Sequence, residues 1–177
     1  IKEEIVKNIN EGKSHFAEPG LDNSLQKAIK SGSLSAHSEP LSSDVYIIAV
    51  PTPLKHNKLP DLSYIKSAAK MIAPVLDKNN LVILESTSPV NTTEKLVDWM
   101  SEERPDLSFP RIQEDEYQSD ISVAYCPERV LPGTVLKELI SNDRIIGGVS
   151  LTCAEKAQDL YQNFIEAECL ITDCRTA

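Results

Sequence analysis

Three short apolar runs, each cut off by a segment of prolines, hydroxyls or charges, constrain this chain more than any other feature. Val45-Tyr-Ile-Ile-Ala-Val50 is a continuous, β-branched run that stops at Pro51-Thr52-Pro53. Leu81-Val-Ile-Leu84 stops at Glu85-Ser-Thr-Ser-Pro89, and residues 121–125 stop at Cys126-Pro127-Glu128-Arg129. Runs that are apolar at every position, not at alternate ones, are the pattern of strands buried on both faces. Helical periodicities lie between them. Ile65, Ala68, Ala69, Ile72 and Val75 or Leu76 share one face of a helix that Asp61 can cap. Leu96, Val97, Trp99 and Met100 belong to a helix that begins at Asn91 or Thr92. A short helix follows Gly133. Two further strands are read at residues 144–148 and 169–171, with a helix from a Thr152 cap to about Phe164 between them. Near the N-terminus, Ile1, Ile5, Val6 and Ile9 fall on one face of a first helix. Asp22 is placed to cap a second, which ends near Lys30.

Strands alternating with helices imply an α/β fold, a parallel sheet with helices on both faces. Ligands in such sheets bind beyond the carboxyl ends of the strands. Residues 101–120, with two prolines and the acidic cluster Glu114-Asp115-Glu116, are expected to form a surface excursion.

Composition removes several classes of function. The 18 Lys and Arg against 27 Asp and Glu leave a net charge of −9, and aromatics are only 5% of the chain. Nucleic-acid binding needs clustered cations and stacking rings, so it is disfavoured. No apolar run approaches the length of a membrane span. Lys2, Glu3 and Glu4 do not open a signal peptide. The four cysteines form no C-x-x-C and lie far in sequence from the three histidines. That disfavours zinc, and reduced thiols in a cytoplasmic protein are expected. Six glycines occur, none spaced as G-x-G-x-x-G or as a phosphate-cradling P-loop.

The strand-end segments hold the candidate site residues. Thr52 offers a hydroxyl and a backbone amide, or merely sits in a strand-stop turn. Ser86 and Thr87 could cap the next helix, as serine and threonine do well. Asn91 and Thr92 lie closer to that helix, which would leave the first two to position a ligand or a water. Glu128 and Arg129 read either as an exposed ion pair of little worth or as a working pair. In the second case the carboxylate does acid–base or water-orienting work, and the guanidinium holds an anion. Cys126 reads better as a buried structural thiol than as a nucleophile, since no histidine is near it in sequence.

These motifs resemble those of the UDP-glucose/GDP-mannose dehydrogenase family. The resemblance rests on Val45-Tyr-Ile-Ile-Ala-Val-Pro-Thr-Pro53, Ile83-Leu-Glu-Ser-Thr-Ser-Pro-Val90, Ala124-Tyr-Cys-Pro-Glu-Arg-Val-Leu-Pro-Gly133 and Asp143-Arg-Ile-Ile-Gly-Gly148. It extends over nearly the whole chain and is weakest in residues 101–120. The Cys-Pro-Glu-Arg-Val-Leu-Pro-Gly form resembles the UDP-N-acetyl-D-mannosamine dehydrogenase branch, whereas UDP-glucose members usually carry Pro-Glu-Phe-Leu there.

The resemblance implies a Rossmann-like NAD-binding domain lacking the first βαβ unit, which carries the glycine loop. It implies an enzyme that oxidises UDP-N-acetyl-D-mannosamine to the uronate with two NAD. UDP-glucose, UDP-N-acetylglucosamine and a non-catalytic Rossmann-like module are the alternatives. Carried over by residue, Thr52 and Thr87 contact the cofactor. Thr87 and Glu128 are catalytic, through a positioned water. Glu128, Arg129 and Val130 line the nucleotide sugar. Pro132 stands where UDP-glucose members have a second glutamate, so that role does not transfer.

The family's catalytic lysine and asparagine would follow a segment like Arg175-Thr-Ala177. Its nucleophilic cysteine would come later, with a central helical region and a second nucleotide-sugar domain. None of the four cysteines here matches that nucleophile. The 177 residues are thus expected to be a partial NAD-binding domain, inactive alone, from a protein that self-associates when intact.

Overall fold

The structure is a computed structural model, and it describes residues 2–56, 58–112, 114 and 117–177. Ile1 of the first helix face and Asp115 and Glu116 of the acidic cluster lie outside the described residues. The chain forms two compact units. One comprises Leu41–Glu128 and Asn142–Ala177, the other Ile1–Pro40 and Arg129–Ser141.

The larger unit is built on one sheet, in the order β1 (Val45–Ile48), β2 (Leu81–Leu84), β3 (Ser122–Tyr125), β4 (Arg144–Gly148), β5 (Cys169–Asp173). β1, β2 and β3 run parallel and in step, so Ile48, Leu84 and Tyr125 share one row. β4 and β5 are parallel to each other, but β4 runs antiparallel to β3, with Tyr125 opposite Gly147. Three of the four pairings are therefore parallel, as expected, and the fourth is not. The chain runs through the other unit between β3 and β4, and these two antiparallel strands are not joined as a βαβ crossover. Only such a crossover requires parallel neighbours.

Helices cover both faces. α3 (Ser63–Ile72) and α4 (Thr92–Glu103) bury Ile65, Ala69, Ile72, Leu96 and Met100 against Tyr46, Ile48, Val82, Leu84, Val123 and Tyr125. α6 (Leu151–Tyr161) lies on the opposite face, where Ala154, Ala157 and Tyr161 meet Ile83, Ala124, Cys126 and Ile146. β2 and β3 are buried at every position because both their faces are covered, which is why their sequences do not alternate. The stretch read as a surface excursion is tied to this core. α4 continues to Glu103, and beyond it Leu107 and Phe109 are buried among the α3 and α4 contacts.

Some helix starts differ from expectation. Ser150, not Thr152, caps α6, its hydroxyl accepting from the Cys153 amide at 3.4 Å. α2 (Leu21–Lys30) begins after Gly20 in a left-handed conformation, and Asp22 instead accepts from the Ser14 amide at 3.0 Å. Asp61 lies two residues before α3 and accepts from the Ser63 amide at 3.0 Å.

The smaller unit holds α1 (Glu3–Asn10), α2 and α5 (Val135–Ser141), none of which fully buries a side chain. Within it the Glu18 carboxylate accepts from the amides of Gly133 and Val135 at 2.8 and 2.9 Å, fastening the start of α5.

Candidate functional site

The carboxyl ends of β1, β2 and β3 lie side by side, so the three loops that follow them share one edge of the sheet. Hydroxyls lash the first two loops together. Ser86 Oγ accepts from the Val50 amide at 2.8 Å and donates to the Val50 carbonyl at 2.7 Å. Thr52 Oγ1 donates to the Thr87 carbonyl at 2.7 Å. Ser88 Oγ donates to the Ser86 carbonyl at 2.7 Å, and the Ser88 amide donates to the Tyr125 hydroxyl at 3.2 Å. Ser86 and Ser88 are thus spent on the scaffold. Ser86 is buried and has no capping role, while the Thr87 side chain stands exposed between them. Asn91 adopts the left-handed conformation before α4, and Thr92 Oγ1 donates back to the Pro89 carbonyl at 2.6 Å.

The third loop carries Glu128. Its amide donates to the Glu85 carbonyl at 3.4 Å, and its carboxylate is ion-paired with the guanidinium of Arg144. Arg144 also lies 3.7 Å from Glu85 Oε1 and is only 4% exposed. The Tyr161 hydroxyl, at the end of α6, donates to the same Glu85 oxygen at 2.6 Å, and the Arg144 guanidinium sits 5.0 Å from the centre of the Tyr161 ring. Burial, together with neighbouring Cys126 and Glu85, pushes the Tyr161 hydroxyl far up, which keeps it a proton donor. Two carboxylates, a guanidinium and a phenol therefore form one cluster at the strand ends.

Cys126 is buried in the same region. Burial first, and then the charge of Glu85, push its thiol up to about 12. A thiol held neutral in this way is a poor nucleophile, in agreement with its reading as structural.

Of the expected site residues, Thr52, Thr87 and Glu128 come to the same edge of the larger unit. Arg129, exposed, and Val130, half-buried, belong to the smaller unit. Sequence reasoning missed Arg144 and Glu85. Arg144 was visible only as a charged residue heading an apolar strand, and its significance depends on the strand's direction. Glu85 stops a strand and falls within a family motif, and neither signal points to a role in the site.

The donor set suits a dinucleotide. Thr52 is half-buried and Thr87 exposed, and their hydroxyls and the adjoining backbone are held in fixed loops beyond two adjacent parallel strands. That combination of hydroxyl and amide groups matches a ribose or a carboxamide.

A three-layer α/β unit with its polar groups at the carboxyl ends of parallel strands defines a Rossmann-like, nucleotide-binding class of protein. Residues 1–165 match the NAD binding domain of the UDP-glucose/GDP-mannose dehydrogenase family, and the chain belongs to that family. It is 56% identical, over its full length, to an NDP-N-acetyl-D-galactosaminuronic acid dehydrogenase of Ralstonia nicotianae, covering 41% of that protein. It is 51% identical, again over its full length, to the UDP-N-acetyl-D-mannosamine dehydrogenase of Escherichia coli K12, covering 42% of it. Among solved structures, the UDP-D-ManNAc dehydrogenase of Pyrococcus horikoshii superposes with a TM-score of 0.90 at 39% identity, over all of this chain and 41% of that one. The chain thus spans about two fifths of the length of the curated relatives it matches. Among the described residues no helix is long and apolar enough to cross a membrane.

Proposed function

We propose that this chain is the NAD-binding portion of a longer protein that oxidises UDP-N-acetyl-D-mannosamine to UDP-N-acetyl-D-mannosaminuronate in two successive steps. NAD, when bound, supplies the hydride acceptor. Thr52 and Thr87 hold it, Thr87 with an exposed side chain and Thr52 from the loop strapped by Ser86. Thr87 and Glu128 orient the water that yields the acid, and Glu128 takes up its proton. Glu128, Arg129 and Val130 line the nucleotide-sugar site. The observation that chiefly supports the reading is the gathering of Thr52, Thr87 and a buttressed Glu128 at one edge of a family NAD-binding sheet. The active protein is a cytoplasmic homo-oligomer, and the 177 residues alone do not turn over.

The 56% identity to a protein named for a galactosaminuronic acid favours a second reading, in which the sugar has the galacto configuration. Turnover of the intact protein with NAD and each of UDP-N-acetyl-mannosamine, -galactosamine and -glucosamine and UDP-glucose decides between them, with NADH as readout. The highest kcat/KM is expected for the mannosamine. A preference for the galactosamine replaces the first reading with the second, and no NADH with any of them leaves a non-catalytic module. In the active enzyme, Thr87→Ala slows acid formation more than it weakens sugar binding. Small, equal effects would remove Thr87 from the chemistry.

A further inference from the structure

The direction of β4 decides what stands behind Glu128. Tyr125 is opposite Gly147 across the antiparallel pair, and the same register carried three residues further sets Glu128 opposite Arg144. Had β4 run parallel to β3, Arg144 would start at the far edge of the sheet, about 13 Å away at a strand's rise per residue. The antiparallel turn of the sheet thus delivers one cation, nearly completely buried, to the end of β3.

We infer that Arg144 is a positioning residue for Glu128. Its guanidinium fixes the Glu128 carboxylate over the strand ends, and Glu85 and Tyr161 fix the guanidinium. The inference deepens the proposed function and rests on its reading of Glu128 as the acid–base group.

Two physical points carry it. A buried ion pair adds little net stability compared with apolar residues of the same volume, so stability alone does not account for placing these charges under the sheet edge. Glu128 follows a proline, and its amide makes a long backbone hydrogen bond of 3.4 Å to the Glu85 carbonyl. A backbone bond alone leaves a glutamate carboxylate free to turn about its side-chain torsions. A group that must meet a substrate within a fraction of an ångström needs its rotamer locked from behind. Arg144 provides the lock, and the Tyr161 hydroxyl closes the chain of contacts through Glu85.

The test uses the intact enzyme and four variants, Glu128→Gln, Arg144→Met, Arg144→Lys and the double variant R144M/E128Q, with melting curves to confirm folding. Arg144→Met is expected to lower kcat by roughly 100-fold, the scale of loss from ångström-sized misplacement. KM for NAD should hold. Arg144→Lys should fall between it and the parent, because a compact ammonium replaces a planar fork. The double variant should be no slower than Glu128→Gln alone, since Arg144 acts only through that carboxylate. If Glu128→Gln is slow while Arg144→Met keeps its kcat, the role of Arg144 is overturned and the reading of Glu128 stands. If the two losses multiply in the double variant, Arg144 acts elsewhere and the inference also falls. If Glu128→Gln keeps full kcat, the reading of Glu128 itself fails and takes the inference with it. Should Arg144→Met not fold, Arg144→Lys carries the test: a fall in kcat at constant KM for NAD sustains the role, and an unchanged kcat overturns it.

Discussion

The Ser86 hydroxyl closes a two-way hydrogen bond with the backbone of Val50, accepting from its amide at 2.8 Å and donating to its carbonyl at 2.7 Å. One small side chain thereby joins the loops that follow β1 and β2. Ser86→Ala leaves both Val50 groups without that partner in a part-buried setting. A loss of about 1–3 kcal/mol in stability is expected from urea melts. In the intact protein NAD binding, measured by calorimetry, should weaken as well, because Thr52 and Thr87 lose their common frame. Ser88→Ala, at a half-buried hydroxyl, should cost less. Equal costs would show that the Ser86 strap is not the main tie.

The four thiols differ in reach. Cys126, Cys153 and Cys174 are buried, and Cys169 is partly exposed. Burial pushes Cys126 up to about 12 and Cys174 up to about 11. Alkylation with N-ethylmaleimide followed by peptide mapping should label Cys169 first, with the other three labelled only in denaturant. The raised thiols also set an alkaline limit. Above about pH 8.5 the unfolded chain releases these protons while the native chain keeps them, so stability falls as pH rises toward the folded values. Cys126→Ala should flatten that alkaline limb in urea melts taken at successive pH values.

The sequence reading succeeds where burial writes itself into the residues. β2 and β3 are visible because both faces are covered, which removes alternation from the sequence and leaves unbroken apolar runs. β1 carries the same kind of run but, as the edge strand, leaves Ile47 exposed, against the expectation of burial on both faces. The carboxyl-end loops of these strands are visible because proline and hydroxyl residues punctuate them, so the placement of Thr52, Thr87 and Glu128 beyond the strand ends is legible. What the residues do not encode locally is strand direction. Arg144-Ile-Ile-Gly-Gly148 reads the same whether it runs up or down beside β3, yet that choice alone brings Arg144 to Glu128. Ser86 is a similar case, since a hydroxyl between a strand and a helix has the same signature as a cap, a strap or a ligand contact. Leu107 and Phe109 were passed over because prolines and charges surround them, although tertiary packing draws both into the core.

Gly148 tests the meeting of β4 and α6. A Cβ there would run into the Ser150 carbonyl and come within 2.5 Å of the Ala154 amide nitrogen, both backbone atoms that cannot turn aside. Gly148→Ala should therefore prise the first turn of α6 from the end of β4. A loss of about 3 kcal/mol or more is expected, at the upper end of overpacking costs, and the variant should melt well below the parent. Gly133→Ala meets no atom within 4 Å and carries only the strain of a positive φ of 95°. It should lose less, and a reversal of that order would disprove the close approach.

Asp120 sets the acid limit. Its carboxylate accepts from the Ser108 amide at 2.9 Å and the Ser108 hydroxyl at 2.8 Å, and Lys78 lies 3.1 Å away. These contacts, those of Ser108 first, hold it down at about 2. An unfolded aspartate titrates near about 3.9. Between those two values the unfolded chain binds a proton that the native chain does not, so stability declines as pH falls. The contribution is complete above about pH 4 and is gone once the pH drops through about 2. Urea melts across that window should show a steeper decline for the parent than for Asp120→Asn, which has no carboxylate to protonate. Ser108→Ala should flatten the slope only in part, because it removes the hydroxyl and keeps the amide, which is the larger cause. Superimposable acid limbs for the parent and Asp120→Asn would place the acid-sensitive contact elsewhere.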